Sequence, residues 1–460
     1  MKPFKTVRGM RDFLPEDALK MRYAERVSRE IAELYGYEEV ITPVVESHDL
    51  LAAKAGEEIR LRMYAFADMG GRKVALRPEF TPSMARLVAT KLRNAPKPLK
   101  LFCVGSLYRY DEPQRGRFRE FWQANYELMG SSKPEADAEI LTVTDTLLYT
   151  LGVRNYRFKI GHMGVLRGIL GQEGMAEEQQ NRILHLLDTK RWEEALKVIG
   201  ELGVSRQCIT TLKEIFETKG KKASQVLEKA KKRVQGYESA VVALENLRDI
   251  LDLTNNSGAK FETLMEMGYA RGLEYYTGMI FEAYVPELDI ALGGGGRYDK
   301  LIELFGGEPT PAVGVAQGID RIVLAAKKQK VALKVPQKKR VMVVPLSKEM
   351  LAKAFEISSL IRAGGISAEM EMLGRSVSKV LSCADRRGFD YAVLVGPQEI
   401  RDGKIVLRDM KKREQRTVKI QDLLEEIIER ERQKLSKQTF LAPNRERRIQ
   451  PSAHKQQQLH

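Results

Sequence analysis

The segment Leu101–Met129, LFCVGSLYRYDEPQRGRFREFWQANYELM, constrains this chain more than any other stretch. Leu101–Tyr108 is apolar and rich in strand formers, whereas Asp111–Gly116 carries Pro113 and Gly116 and cannot continue a strand. Phe118–Met129 then alternates. Trp122, Ala124, Tyr126 and Leu128 share one face, and Phe121, Gln123, Asn125 and Glu127 share the other. The first set is an ordinary core face. The second places a ring, two amides and a carboxylate in a row, which is costly on a buried sheet face unless something pairs with them. Two readings stay open: the floor of a polar-ligand site, with Arg109 as an anion contact at the loop entrance, or a hairpin whose polar side faces water.

A chain of 460 residues, 43% of them hydrophobic, is too long for one ordinary core, so two or three domains are expected. No run approaches the roughly 18 apolar residues of a membrane span, and MKPFKTVRGMRDFLPED has no apolar signal region. Cys103, Cys208 and Cys383 are far apart and form no CxxC pair. Neither a disulfide scaffold nor a zinc site is expected, and a reducing cytoplasm fits. The net charge of +15 favours an acidic partner, nucleic acid first. It concentrates in Lys219–Arg233, with seven basic residues against one acidic, and in Glu431–His460, with seven against two. Either run alone reads as a solvated face; two on a basic total favour a polyanion.

Residues 1–166 mix helices and strands, with an amphipathic helix at Pro15–Tyr35 (Leu19, Tyr23, Val27, Ile31 and Leu34 on one stripe) and a strand at Glu38–Pro43. A hairpin spans Tyr64–Asp68 and Lys73–Arg77, and a helix follows over Pro78–Arg93. Residues 167–258 read as an almost wholly helical insertion without strands. Strands return at Met279–Val285 and Ile290–Leu292 within residues 259–327, and Val313–Lys327 reads as a helix after a small-residue strand start. A linker follows over 328–338. Residues 339–434 alternate strands and helices, implying a small α/β domain with a largely parallel sheet. Residues 435–460 form a basic tail with few aliphatics, expected to be disordered.

Four further segments matter. In LRPEFTP, Glu79 and Thr81 fall at the first turn of a helix, where capping alone would explain them. RGLEYYTG sets Arg271, Tyr275 and Tyr276 between glycines, and an arginine there offers a planar fork for carboxylate or phosphate. GGGGRYD, ending in Tyr298 and Asp299, lets backbone approach a substrate, but has neither the GK[ST] of a P-loop nor GxGxxG spacing. AVGVAQGIDR puts Arg321 one turn into a helix. Together these supply three arginines (Arg109, Arg271, Arg321) and two acids (Glu79, Glu127), a set suited to a polyphosphate plus a small zwitterion. None of the five histidines lies in these motifs, so no nucleophile–base pair is apparent and catalysis should rest on positioning and charge stabilisation. No metal-ligand cluster is expected.

On these residues the chain resembles the class II aminoacyl-tRNA synthetases, and within them the histidyl-tRNA synthetase family. Leu101–Met129 is similar to the family's motif 2, Ala312–Arg321 to motif 3, and RGLEYYTG and GGGGRYD to its two histidine signatures. Residues 340–430 resemble the anticodon-binding domain shared by the His, Gly, Thr and Pro enzymes. The resemblance implies an α+β catalytic domain on an antiparallel six-stranded sheet with flanking helices, a helical insertion, a small α/β anticodon-binding domain, and a homodimer. It implies that histidine and MgATP form histidyl-adenylate and pyrophosphate, after which the acyl group moves to the 3′ end of tRNA(His), releasing AMP.

The resemblance also assigns roles. Glu79, Thr81 and Gln123 would hold the α-amino group. Glu127 and Tyr276 would read the imidazole, and Tyr275 and Tyr298 would complete the histidine pocket. Arg271 and Arg109, the catalytic pair, would meet the carboxylate and α-phosphate. Phe121 would stack on adenine, Arg117 would contact ATP and Arg321 would bind the γ-phosphate. Gln114 and Arg115 would face the tRNA acceptor end. Two departures from the family pattern stand out: Phe80 stands where a small residue is usual, and Ile319-Asp320 replaces Leu-Glu before the motif 3 arginine. Regulatory paralogues of this family typically lack the anticodon domain and the signature arginine. Both are present here, as Arg271 and residues 340–430.

Overall fold

This computed structural model describes residues 3–428 except 115, 190, 271–274, 289 and 337. The chain falls into two compact units, one running through Val335 and the other from Pro336.

The first unit is built on a nine-stranded sheet. Its spatial order is Glu38–Glu39, Leu99–Tyr108, Glu120–Met129, Ala312–Gly318, Gly293–Arg297, Met279–Tyr284, Arg157–His162, Glu262–Glu266 and Lys219–Gly220. The six strands from Leu99–Tyr108 to Arg157–His162 pair antiparallel throughout, which is the expected six-stranded sheet. Three short strands extend it to nine: Glu38–Glu39 and Glu262–Glu266 join parallel, and Lys219–Gly220 joins antiparallel. Lys219–Gly220 lies in a stretch expected to hold only helices, and the strand expected over Glu38–Pro43 shrinks to two residues.

The hairpin strands explain why both faces of this sheet are buried. Ala124, Tyr126 and Leu128 pack into the core. The Tyr126 hydroxyl donates to the Ser28 carbonyl of the helix Pro15–Leu34 at 2.9 Å. That helix starts well, with Pro15 at its first position and Glu16 and Asp17 in the first turn. It buries Ala24, Val27, Ser28 and Ile31, while Leu19 and Leu34 of the expected stripe are exposed. On the opposite face Asn125 and Glu127 are also fully buried, so the hairpin does not turn its polar side to water.

GGGGR is itself a strand, Gly293–Arg297, rather than a loop following a strand at Ile290–Leu292. It is buried between two neighbours, and a Cβ at Gly295 would strike the Gly314 carbonyl and one at Gly296 the Met279 carbonyl. Absent side chains are thus a packing requirement of the sheet as well as an opening for ligand. The motif 3 strand runs to Gly318, so the helix expected over Val313–Lys327 starts six residues later, at Ile319, and runs to Lys328.

Among the described residues six helices lie between Met163 and Asn256, interrupted by the strand Lys219–Gly220, and the first begins ahead of residue 167. Their buried residues join one continuous apolar cluster with the sheet. The basic run falls largely on the helix Ala223–Arg233, which buries only Val226, Leu227 and Ala230. A small sheet of Val45–Ser47, Lys73–Leu76 and Ala65–Ala67 stands apart from the large one.

The second unit holds a five-stranded sheet in the order Ser367–Met370, Arg340–Pro345, Tyr391–Val395, Lys404–Asp409, Glu414–Lys419. The first three strands are parallel and the last two antiparallel, so the sheet is mixed rather than largely parallel. The unexpected strand Glu414–Lys419 is a polar edge strand with Val418 its one buried residue, which leaves no apolar alternation to read. The helix expected over Asp422–Lys434 is described only to residue 428, and the tail 435–460 lies outside the described residues. Among the described residues no helix is long and apolar enough to cross a membrane.

Candidate active site

The polar row of the hairpin forms the floor of a cavity. Glu79, Thr81, Arg109, Phe121, Gln123, Glu127, Tyr275, Tyr276, Tyr298 and Arg321 all line it. They come from six places in the chain, brought together by the antiparallel order of the sheet. Arg117 lines a smaller adjoining cavity together with Arg109, Phe121 and Arg321. Gln114 sits exposed at the loop tip, where Gln114 and Arg117 exchange backbone hydrogen bonds. Arg271 and Arg115 lie outside the described residues.

One end of the cavity is a carboxylate centre. Glu127 accepts from Thr81 Oγ1 at 2.8 Å and Asn125 Nδ2 at 3.3 Å on Oε1, and from the Tyr298 hydroxyl at 2.5 Å on Oε2. Burial pushes its carboxyl up to about 7, and these three donors pull it back only in part. Tyr275 donates to Glu79 Oε2 at 3.1 Å. Burial, reinforced by the neighbouring carboxylates, raises Tyr275 and Tyr298 well above the ordinary phenol range, so both stay protonated donors. The N-cap position of the helix Thr81–Thr90 is Phe80, whose side chain offers no cap, and the Thr81 hydroxyl reaches across to Glu127. Asn125, for which the sequence offered no role, is a donor to that same carboxylate. Gln123, which lines the cavity, has its Oε1 buried without a hydrogen-bond partner among the described residues, leaving an acceptor open there.

The other end is cationic. Arg321 donates to the Gly116 carbonyl at 3.2 Å and the Ala291 carbonyl at 2.9 Å. Burial, then repulsion from Arg109 and Arg117, lowers it to about 10, against the pull of Glu282 and Asp111. Arg109 donates to the Pro78 carbonyl at 2.9 Å and lies over the Phe121 ring, 5.4 Å from its centroid. Three arginines that repel one another make a site short of negative charge, which a polyphosphate supplies.

Phe80, the departure next to Glu79 and Thr81, lies behind the cavity wall. Its ring is fully buried beneath the Arg77 guanidinium, 4.4 Å away, and does not line the cavity. Arg297 of the glycine-rich signature is structural: it forms a buried ion pair with Asp137 and binds Asp299 at 3.1 Å. Asp299 in turn accepts from Thr277 at 3.1 Å, which ties the two signatures together. Sequence reasoning missed Glu282, which also lines the cavity. Its signal was legible, since a carboxylate within the otherwise apolar strand Met279–Tyr284 needs a reason.

Comparison with known proteins identifies the family. A family model described as Histidyl-tRNA synthetase matches residues 9–322, and one described as Anticodon binding domain matches residues 340–430. A histidine–tRNA ligase of Methanocaldococcus jannaschii is 39% identical over 422 residues, covering 91% of this chain and 98% of the relative. One of Sulfolobus acidocaldarius is 37% identical over 433 residues, covering 93% and 99%. Among solved structures, apo histidyl-tRNA synthetase from S. aureus superposes with a TM-score of 0.66 at 25% identity, over 92% of this chain and 99% of that one. The enzyme from Nostoc sp. PCC 7120 reaches 0.75 at 22% identity, over 94% and 100%. With both units matched and relatives aligned nearly end to end, the chain belongs to the histidyl-tRNA synthetase family.

Proposed function

We propose that the chain attaches L-histidine to tRNA(His) in two steps. The histidine carboxylate attacks the α-phosphorus of ATP, giving histidyl-adenylate and pyrophosphate. A ribose hydroxyl at the 3′ end of the tRNA then attacks the acyl carbon and releases AMP. The observation that carries this reading is the pairing, in one cavity, of a buried carboxylate–phenol centre with a three-arginine cluster.

In this reading the imidazole lies at Glu127 and Tyr298, with Tyr276 beside them, and neutral imidazole offers one donor and one acceptor to such a set. Glu79, held by Tyr275, and the open Gln123 Oε1 take the α-ammonium group. Thr81 acts on the amino acid through Glu127, which it already holds. A site built of buried polar partners rejects analogues lacking them by roughly 10⁴–10⁵. Arg109 and Arg271 stabilise charge at the α-phosphorus, Arg117 and Arg321 hold the outer phosphates, and Phe121 receives the adenine. Gln114 and Arg115 meet the acceptor end, and the second unit binds the anticodon region.

Mg²⁺ fits as a companion of the nucleotide. Such an ion keeps several waters and needs only one or two carboxylates besides phosphate oxygens. Glu282, on the cavity wall within the field of Arg321, is the side chain that would hold it. Bound there, Mg²⁺ supplies neutralisation of phosphate charge. Exposed Val45 and Phe66 on the small sheet, with exposed Ile41, Val44, Leu61 and Met69 flanking its strands in sequence, are apolar groups that a homodimer would cover.

The test is acylation of unfractionated tRNA with labelled histidine. Label should enter tRNA in an ATP-dependent way and disappear when the terminal ribose is first oxidised with periodate. Label entering oxidised tRNA equally well would refute transfer to the 3′ end.

A further inference from the structure

Residues Gly9–Phe13 lie as an irregular strap against the arginine-bearing loop of the hairpin. The Gly9 carbonyl accepts from the Arg119 amide at 2.9 Å, and Arg119 in turn donates to the Asp111 carbonyl at 3.1 Å. Gly9 has φ +84°, and a Cβ there would lie 2.6 Å from Arg119 Cγ and Cδ, so the contact requires glycine. Phe13 meets Trp122 edge-on, with ring centroids 5.4 Å apart.

Arg11 is the centre of the strap. Its guanidinium lies 3.5 Å from the Phe118 ring centroid and 4.6 Å from that of Phe13. It forms an ion pair with Asp320, whose side chain is only 4% exposed. Asp320 also accepts from the Trp122 amide at 2.5 Å. Arg11, Phe118, Trp122 and Asp320 therefore join the loop of the hairpin to the first turn of the helix Ile319–Lys328. Arg109 and Arg117 flank that loop and Arg321 follows Asp320 directly, while Arg11 itself lines neither cavity.

We propose that Arg11 is a positioning residue for the nucleotide: through Phe118 and Asp320 it sets the loop against the helix, and so fixes the spacing of Arg109, Arg117 and Arg321. A guanidinium suits the task because one planar group can stack on a ring and pair with a carboxylate at once. Burial lowers Arg11 to about 10, with Glu120 and Asp17 opposing, so it is charged at neutral pH. The inference rests on the reading of this cavity as the ATP site.

The test is histidine-dependent pyrophosphate exchange by the full chain carrying Arg11→Gln, Asp320→Asn or both. Each single variant should raise the KM for ATP by about tenfold or more, because small displacements of positioning groups are costly. The KM for histidine should stay within about twofold, since its contacts are untouched. The double variant should be no worse than the poorer single one. Equal rises in both KM values, or an unshifted KM for ATP in folded Arg11→Gln, overturns the proposal. If Arg11→Gln does not fold, Phe118→Leu, which removes the stack and leaves the ion pair, is judged by the same split. Absence of exchange in the unmodified chain would overturn the reading of the cavity itself; normal exchange with unshifted variants overturns only the role of Arg11.

Discussion

The Tyr298 hydroxyl donates to Glu127 Oε2 at 2.5 Å, joining two residues 171 positions apart in the chain. Tyr298 follows the strand Gly293–Arg297 and Glu127 lies on the hairpin strand Glu120–Met129, with the strand Ala312–Gly318 between them. Removing the donor by Tyr298→Phe leaves a buried acceptor short of a partner, at a cost of about 1–3 kcal/mol. The KM for histidine should rise about 5- to 150-fold, as that energy implies, with the KM for ATP little changed. Pyrophosphate exchange measured at varied histidine and varied ATP checks this split; a rise confined to ATP contradicts it.

Glu127 also gives the fold a pH dependence with a defined sign. Its folded value of about 7 lies above the ordinary carboxylate range because burial disfavours the charge. The neutral form is therefore the one the empty pocket prefers. Its contribution to stability is complete below the ordinary carboxylate range and drains away as pH rises through about 7. Between about pH 5 and 8, stability relative to Glu127→Gln should fall by at most about 1.4 kcal/mol per pH unit for one proton. Histidine should flatten that slope, because a bound imidazole donor favours the carboxylate. Thermal or denaturant unfolding with and without histidine provides the measurement, and a flat difference in its absence would refute the assignment.

Gly314 is held to glycine by the same carboxylate. A Cβ there would fall on Glu127 Oε2 and come within 2.9 Å of the Tyr126 carbonyl. Gly314→Ala should displace Glu127 and lower histidine-dependent activation by about 100-fold or more, in line with other angstrom-scale misplacements. Its fold should survive, since the strand pairs on both sides. Activation kinetics together with circular dichroism test this, and an active Gly314→Ala would contradict the geometry.

At the cationic end, Arg321 is lowered by burial and by its neighbours Arg109 and Arg117. Removing it relieves repulsion in the empty protein, so Arg321→Gln should fold as well as the unmodified chain or better. ATP binding should nevertheless weaken by about 10- to 150-fold, the value of a charge-assisted pair of about 1.5–3 kcal/mol. Unfolding curves and ATP titration read the two effects separately; loss of stability without loss of ATP affinity would make Arg321 structural.

The polar alternation of Phe121–Glu127 and the helical stripe around Val27 and Ile31 were legible because periodicity and burial coincide there. The nature of the glycine run was not. Gly293–Arg297 has no side chains to alternate, and its strand identity comes from neighbours on both sides that are distant in the chain. Strand Glu414–Lys419 was hidden for a related reason, being a polar edge held by backbone pairing. In the cavity, residue types were legible from the motifs and their resemblance, but partners were not. That Thr81 and Asn125 both serve Glu127 depends on a helix start and a strand meeting in space. Glu282 went unremarked because one carboxylate in an apolar strand has no motif around it.

The central claim is that one cavity activates histidine with ATP. Pyrophosphate exchange with each of the twenty amino acids tests it most directly. Exchange dependent on histidine, and at least about 10⁴-fold weaker with every other amino acid, is the predicted result. Exchange with a different amino acid, or none with the intact, folded chain, would contradict it.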